Sequence, residues 1–161
     1  MPYAMFHQQF PEVAEKETRS ITILRDSDWG LPAGNYAFLE MFCNEPGCDC
    51  RRVFLCVISE RTKSIEAYIA YGWESRAYYR KWLRFDDPHT ISDLQGPVLN
   101  EGSPQSSLAP ALLKLFQEVL LKDTEYLERI KRHYNMFRAR IDGSGKTKAL
   151  RSNTRKRRHK S

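Results

Sequence analysis

Four short runs with strand character follow one another between residues 20 and 71, and this order constrains the fold more than any other feature. Residues 20–25 alternate apolar and polar side chains, which is typical of a half-buried strand. Residues 36–43, 51–59 and 64–71 have the composition of three further strands. Because consecutive strands with short connections pair with their neighbours, the sequence predicts a four-stranded antiparallel meander.

About three helices are predicted after the last strand. Residues 73–85 form the first helix, with an aromatic face made by Tyr78, Trp82 and Phe85. Residues 86–107 are rich in Asp, Pro, Gly and Ser and are predicted as a long loop. Two apolar stripes of helical spacing follow, namely Leu108, Leu112, Leu115, Phe116, Val119 and Leu120, then Leu127, Ile130, Tyr134 and Phe137. The expected fold class is therefore α+β, with the helices packed against the meander.

Positive charge is concentrated at the carboxyl end of the chain. Residues 138–161 hold ten of the 26 Lys and Arg residues but only one of the 20 Asp and Glu residues. So polar a segment cannot bury enough surface to offset its ordering entropy. We therefore predict one α+β domain over residues 1–140 and a disordered basic tail over residues 141–161. A basic arm suits phosphate groups, so the residues expected to contact nucleic acid or an acidic partner are Arg155, Lys156, Arg157, Arg158 and Lys160.

Three of the four cysteines lie within eight residues, in the connection between the second and third predicted strands. Pro46 and Gly47 suit the centre of a type II turn, because Pro fixes the first φ angle and Gly accepts a positive second one. That turn would bring Cys43 back towards Cys48, and Cys50 can point the same way. Three thiolates at one hairpin tip suit zinc, which prefers four tetrahedral ligands, and we predict a zinc site here.

A fourth zinc ligand must come from elsewhere. Cys56 is excluded because it lies six residues along a strand from Cys50, roughly 20 Å away. His133, on the last predicted helix, is the first choice, although packing within that helix seam is its alternative role. His89 is the second choice, and Asp49 or a water molecule also stays open.

The same cysteines also suit a thiol-based redox protein or enzyme. Arg51 and Arg52 follow Cys50, and positive charge beside a thiol lowers its pKa and favours the thiolate. The sequence holds no HExxH motif, no dinucleotide-binding glycine loop and no supported Ser-His-Asp pattern. The acidic residues and histidine within 86–89 have the composition of a solvated turn. We therefore favour a non-catalytic binding module and keep the redox protein as the alternative.

Residues 73–85 interleave basic and aromatic side chains, as do surfaces that clamp single-stranded nucleic acid. The spacing of the aromatic residues favours a different interpretation, an amphipathic helix with its aromatic face in the core.

The expected location of the chain is the cytoplasm. The longest uninterrupted apolar run, residues 53–58, is far too short to span a bilayer. Residues 1–19 lack the basic start and apolar stretch of a secretory signal. Cytoplasmic thiols stay reduced, which favours metal or redox roles for the cysteines over a structural disulfide.

Several stretches resemble a family of uncharacterised bacterial proteins, namely FPEVAEKETRSITI, LPAGNYAFLEMFCNEPGCDCRRVF, IAYGWES and ERIKRHYNMF. The resemblance covers most of residues 10–137, is most specific at the cysteines, and implies kinship rather than a reaction. Proteins with similar cysteine stretches sometimes end in a SEC-C motif, a small zinc-binding tail. Residues 143–146 match its Gly-Ser-Gly-Lys core, but Arg140 and Asp142 stand where two of its cysteines would be. The resemblance therefore implies a SEC-C-like tail that has lost its metal ligands.

Overall fold

The structure is a computed structural model that describes residues 3–25 and 29–158, with side chains described as far as Gly143. The fold class is α+β, as predicted, and all the strand pairs are antiparallel. The described residues form six strands in one sheet and six α-helices, so the predicted counts of four strands and about three helices were too low.

The predicted meander forms the centre of the sheet. The strands follow the order β1-β3-β4-β5-β6, and β2 also pairs with β3. Their bounds are β1 Tyr3–Met5, β2 Arg19–Ile23, β3 Gly34–Cys43, β4 Arg52–Ser59, β5 Ser64–Gly72 and β6 Val98–Leu99. The strands β2 to β5 occupy the four predicted runs, because alternation in the first run and β-branched and aromatic residues in the other three favour strands.

The long strand β3 is shared by two short partners. β2 pairs with residues 34–38 of β3, and β1 pairs with residues 41–43. The helices α1 (Phe6–Gln9) and α2 (Pro11–Glu17) connect β1 to β2. The sequence did not predict β1, α1 and α2, because runs of three to seven residues are too short to show a periodic pattern.

The remaining helices follow β5. They are α3 (Arg76–Leu83), α4 (Pro88–Gln95), α5 (Ala109–Glu118), a 3-10 turn (Leu120–Lys122) and α6 (Thr124–Arg158). The main core lies between one face of the sheet and the helices α5 and α6, and it includes Phe38, Leu55, Ile69, Leu112, Phe116, Ile130 and Phe137. Most of both predicted apolar stripes packs in this core, but Val119 is exposed and Leu127 is half-buried outside the core cluster.

The predicted loop over residues 86–107 is wrong in part, because it contains α4 and β6. Asp87 caps α4: its carboxylate accepts hydrogen bonds from the backbone N–H of His89 at 3.2 Å and the hydroxyl of Thr90 at 2.7 Å. Asp followed by Pro is a helix-start signal as well as a turn signal. Further on, the Gln105 amide pairs with both backbone polar groups of Tyr68, at 3.0 and 3.1 Å.

The backbone of α6 continues through the segment that the sequence predicts as a basic tail. Side chains after Gly143 lie outside the described residues, so disorder of residues 141–161 stays a prediction. Among the helices in the described part of the chain, none combines the length and apolar content that crossing a membrane requires.

Candidate metal centre

The sulfur atoms of Cys43, Cys48 and Cys50 all lie within 4.8 Å of one another. Cys43 ends β3, and the other two belong to the connection between β3 and β4. All three are free thiols; Cys43 and Cys50 are buried and Cys48 is half-buried. We call residues 43–51 the cysteine loop.

Local backbone geometry produces this convergence. The N–H of Cys48 donates to the carbonyl oxygen of Glu45 at 3.2 Å, and Gly47 has a φ angle of +75°. Glycine tolerates this angle at the third position of a turn, so the predicted Pro-Gly turn is confirmed. Arg51 also has a positive φ angle, +49°, which turns the chain into β4 directly after Cys50.

The three sulfurs fit a thiolate-binding metal ion. Tetrahedral zinc with bonds of about 2.3 Å holds its sulfur ligands roughly 3.8 Å apart. The sulfurs are already within 4.8 Å of one another, so small side-chain adjustments bring them to that spacing. Soft thiolate ligands favour zinc or copper(I) over magnesium or calcium. The arrangement can therefore hold a soft or borderline metal ion.

Without a metal ion, the environment of the loop favours neutral thiols. Burial and the neighbouring cysteines raise the pKa of Cys48 to about 12. Burial also raises the pKa of Cys50, and the smaller opposing effects include hydrogen bonding from the backbone of Arg52. A thiol with a raised pKa is a poor nucleophile, because the thiolate is the reactive form.

The two arginines that follow Cys50 are committed to other partners. Arg51 forms ion pairs with Asp49 at 2.9 Å and with Glu74 at 3.2 Å. Arg52 is buried, and its Nε donates to the carbonyl oxygen of Leu94 at 2.9 Å. Arg52 does lower the pKa of Cys50, as expected, but burial and Cys43 outweigh it, and the pKa of Cys50 is raised overall. The pKa of Cys48 is raised as well, mainly by burial.

His133, the predicted fourth ligand, lies in a separate buried network and is not part of the cysteine group. Its Nδ1 is 2.8 Å from Oε1 of Glu40, and its Nε2 is 2.9 Å from Oε2 of Glu17. Phe6 stacks on the imidazole ring, with centroids 4.3 Å apart. Both ring nitrogens are thus occupied by carboxylates, and the alternative of a packed helix residue describes His133 better than metal ligation.

Burial and the carboxylates act in opposite directions on His133. Burial alone would lower its pKa, but hydrogen bonding and charge from Glu40 and Glu17 raise it overall. Burial raises the pKa of Glu40, whereas hydrogen bonds from Arg132 and His133 lower that of Glu17 to about 2. The network therefore favours a protonated imidazole between the two carboxyl groups.

The other two protein candidates for the fourth position are also engaged elsewhere. His89 is exposed, and its Nδ1 pairs with Asp93 at 3.3 Å. The carboxylate of Asp49 binds Arg51 and accepts a hydrogen bond from the Tyr134 hydroxyl at 3.1 Å. Cys56, which the sequence excluded, is buried in β4 and is not part of the cysteine group.

Three residues of α6, each one helical turn apart, hold the cysteine loop. The Tyr134 hydroxyl contacts Asp49 and the N–H of Arg51. The buried Arg138 donates from Nη1 to the carbonyl oxygens of residues 45 and 48, at 3.1 and 2.8 Å. Asp142 accepts from the N–H of Gly47 at 2.8 Å. Residues at i, i+4 and i+8 share one face of a helix, so α6 contacts the loop along a single stripe.

Two tyrosines of α3 hold the other side of the loop. The Tyr78 hydroxyl donates to the carbonyl oxygen of Asp49, and the Tyr79 hydroxyl donates to that of Arg51 at 2.9 Å. These carbonyls flank Cys50 in the chain. The cysteine loop therefore connects α3, α6 and the sheet.

Sequence reasoning missed these supporting residues. Tyr134 was predicted only as part of the apolar seam, and Arg138 and Asp142 follow it at helical spacing, but their partners lie about 90 residues away in the chain. The predicted nucleic-acid contacts Arg155, Lys156, Arg157, Arg158 and Lys160 all have side chains outside the described residues.

In comparisons with known proteins, no family model, curated protein or solved structure matches this chain. The resemblance carried by the cysteine stretch therefore stays a prediction.

Proposed function

We propose that this chain is a non-catalytic, cytoplasmic binding module in which a zinc ion stabilises the cysteine loop and the basic tail contacts nucleic acid or an acidic partner protein. The observation that supports it is the convergence of the sulfurs of Cys43, Cys48 and Cys50. The position of this loop between α3 and α6 suits a structural role for the metal, because residues 45–51 receive hydrogen bonds from both helices.

Each part of the loop has a defined task in this proposal. The three cysteines supply thiolates, and the carboxylate of Asp49 completes a closed structural site by exchanging its bonds to Arg51 and Tyr134 for the metal. Proton loss from Cys48 and Cys50, whose pKa values are raised, takes up part of the metal-binding free energy, and the remainder fixes the loop. Arg138 and Tyr134 hold the loop backbone against α6.

Metal analysis of the purified chain tests the proposal, with Cys48→Ser and Cys56→Ser as a matched pair. We expect about one zinc ion per chain in the parent and in Cys56→Ser, and little in Cys48→Ser. A chelator should lower the midpoint of thermal unfolding of the parent and leave that of Cys48→Ser unchanged.

A metal-free parent in which the three loop thiols react freely with a thiol reagent would contradict the zinc site. If that protein were also oxidised reversibly by peroxide, the redox alternative would replace it. The raised pKa of Cys48 argues against that outcome. For the tail, replacing Arg155, Lys156, Arg157, Arg158 and Lys160 with Gln should weaken nucleic-acid binding and flatten its salt dependence. Unchanged binding would refute this role of the tail.

A further inference from the structure

We propose that the end of α3 and the two residues that follow it form a binding site for single-stranded nucleic acid, made of Arg80, Lys81, Trp82, Arg84 and Phe85. We call these five residues the α3 surface. The inference deepens the proposed binding function, on which it rests for the class of partner, but it depends on neither the metal ion nor the tail.

The aromatic residues of this helix do not face the core as the sequence predicted. Tyr79 is the fully buried ring of α3, whereas Trp82 is 37% exposed and Phe85 is 57% exposed. Large apolar side chains with this exposure are few in the described residues, and these two are the aromatic ones. Two rings three residues apart and open to solvent provide stacking faces that the folded domain itself does not use.

The neighbouring cations are also uncommitted. Within the described residues, Arg80, Lys81 and Arg84 form no ion pair and no side-chain hydrogen bond. Arg80, Lys81 and Trp82 lie in the last turn of α3, and Arg84 caps its end in a left-handed conformation that leads directly to Phe85. The cations are therefore neighbours of the rings in the chain, at the end of one helix. Two acidic residues follow Phe85 in the chain. Asp87 is engaged as the cap of α4, so only the negative charge of Asp86 opposes the three cations. The α3 surface is therefore positively charged as well as aromatic.

The fold holds this surface rigidly. The buried Tyr79 and the half-buried Tyr78 bind the backbone of the cysteine loop, as described above. Ser75 caps the start of α3, and its hydroxyl accepts from the N–H of Tyr78 at 3.1 Å. Because the buried side of the helix is fixed, the backbone that carries the rings and cations is already in place, so binding orders only their side chains.

Single-stranded nucleic acid matches both features of the surface at once. Exposed bases stack on aromatic rings, and phosphates pair with Arg and Lys. An acidic protein would use the cations but would leave Trp82 and Phe85 without stacking partners. Double-stranded nucleic acid keeps its bases stacked on one another, so it would likewise use only the cations.

The test compares two full-length variants with the parent, using fluorescence anisotropy of a labelled oligothymidine of about 15 nucleotides. Trp82→Ala with Phe85→Ala should weaken binding at least 20-fold, since each stacked base contributes roughly 1–3 kcal/mol. Arg80→Gln with Lys81→Gln and Arg84→Gln should weaken binding and reduce the salt slope by about two, since three phosphate contacts are lost.

Matched controls remove similar groups from other parts of the surface. Leu24→Ala with Ile65→Ala removes exposed apolar side chains, and Lys16→Gln with Arg61→Gln and Lys114→Gln removes three exposed cations. Both controls should bind the oligonucleotide almost as the parent does. All variants should keep the circular dichroism spectrum and the zinc content of the parent.

A parent that does not bind the oligonucleotide, or aromatic variants that bind like the parent, would overturn the inference. Equal binding of polyglutamate, with no effect of the aromatic substitutions, would also overturn it and would identify an acidic-protein surface. Aromatic variants that bind like the parent, while neutralising the tail abolishes binding, would overturn the inference alone. Failure of the zinc site appears separately, in the zinc content of the parent.

Discussion

Arg138 donates a hydrogen bond of 2.8 Å to the carbonyl oxygen of Cys48, a residue 90 positions earlier in the chain. The same Nη1 atom donates to the carbonyl oxygen of Glu45, so one buried guanidinium group holds both ends of the turn. The geometry of the candidate metal centre thus depends on α6 as well as on the cysteine loop.

Replacing Arg138 with Gln should lower the free energy of unfolding by about 2 kcal/mol or more, since hydrogen bonds from charged groups contribute more than neutral ones. Urea denaturation measures this change, and zinc titration should show weaker binding because the loop is less ordered. Lys131→Gln is the matched control, since Lys131 forms a partly exposed pair with Glu128 and should change stability little. Equal effects of the two substitutions would contradict a special role for Arg138.

The pKa of His133 is raised above its usual value of 6.5 in the folded chain, so its contribution to stability is complete below pH 6.5. That contribution is lost as the pH rises through the folded pKa, and the raised pKa of Glu40 acts in the same direction. The free energy of unfolding should therefore fall as the pH rises above 6.5. In His133→Gln the fall should be smaller, and in the exposed-residue control His89→Gln it should be unchanged. Identical profiles for the parent and His133→Gln would refute the account.

Glu17 behaves in the opposite way, because its pKa is lowered from 4.5 to about 2 by hydrogen bonds from Arg132 and His133. Its contribution to stability is present above pH 4.5 and is lost as the pH falls towards 2. Glu17→Gln should therefore reduce the acid sensitivity of the chain in that interval, as measured by urea denaturation at several pH values. Glu15 is an exposed residue on the same helix, and Glu15→Gln should leave the acid sensitivity unchanged.

Asp87→Ala should destabilise the chain by about 1 kcal/mol, the usual cost of losing a helix N-cap. Asp86→Ala is the matched control: Asp86 is exposed, and its substitution should have an effect below about 0.5 kcal/mol. Thermal unfolding distinguishes the two. Because Leu94 at the end of α4 accepts from the buried Arg52, loss of the cap should also perturb β4.

Gly72→Ala should be strongly destabilising, because the added Cβ atom would lie 2.3 Å from the Tyr79 hydroxyl and 2.5 Å from the carbonyl oxygen of Leu94. Overpacking of this kind costs about 1–3 kcal/mol. Gly143→Ala is the control, since no atom lies within 4 Å of its added Cβ, and alanine favours the helix. If Gly72→Ala lowered the free energy of unfolding no more than Gly143→Ala does, the Tyr79 hydroxyl and the Leu94 carbonyl would be able to move away at little cost.

Local chemistry explains what the sequence could predict. Alternation located β2, strand-like composition located β3 to β5, and the Pro46-Gly47 pair located the turn that brings the sulfurs together. Both signals depend on neighbours in the chain and need no knowledge of the remaining fold. The cysteine group was therefore predictable, whereas β6, with two residues, has no pattern to detect.

Long-range partners explain what the sequence could not predict. His133 lies among Glu17 and Glu40, which are 116 and 93 residues away in the chain, so its packing partners could not be derived from helix periodicity. The predicted orientation of α3, with Tyr78, Trp82 and Phe85 facing the core, was wrong for a similar reason. Tyr79 faces inwards because its hydroxyl reaches the carbonyl oxygen of Arg51 and because Gly72 leaves room for it.

The division of β3 between β1 and β2 has a consequence for association between copies of the chain. A long uninterrupted edge strand is a template on which another sheet can grow. Here one border of the sheet consists of strands of three and five residues separated by a gap, and the other combines the two residues of β6 with the amide of Gln105. Edge-to-edge aggregation is therefore disfavoured by the topology of the sheet itself.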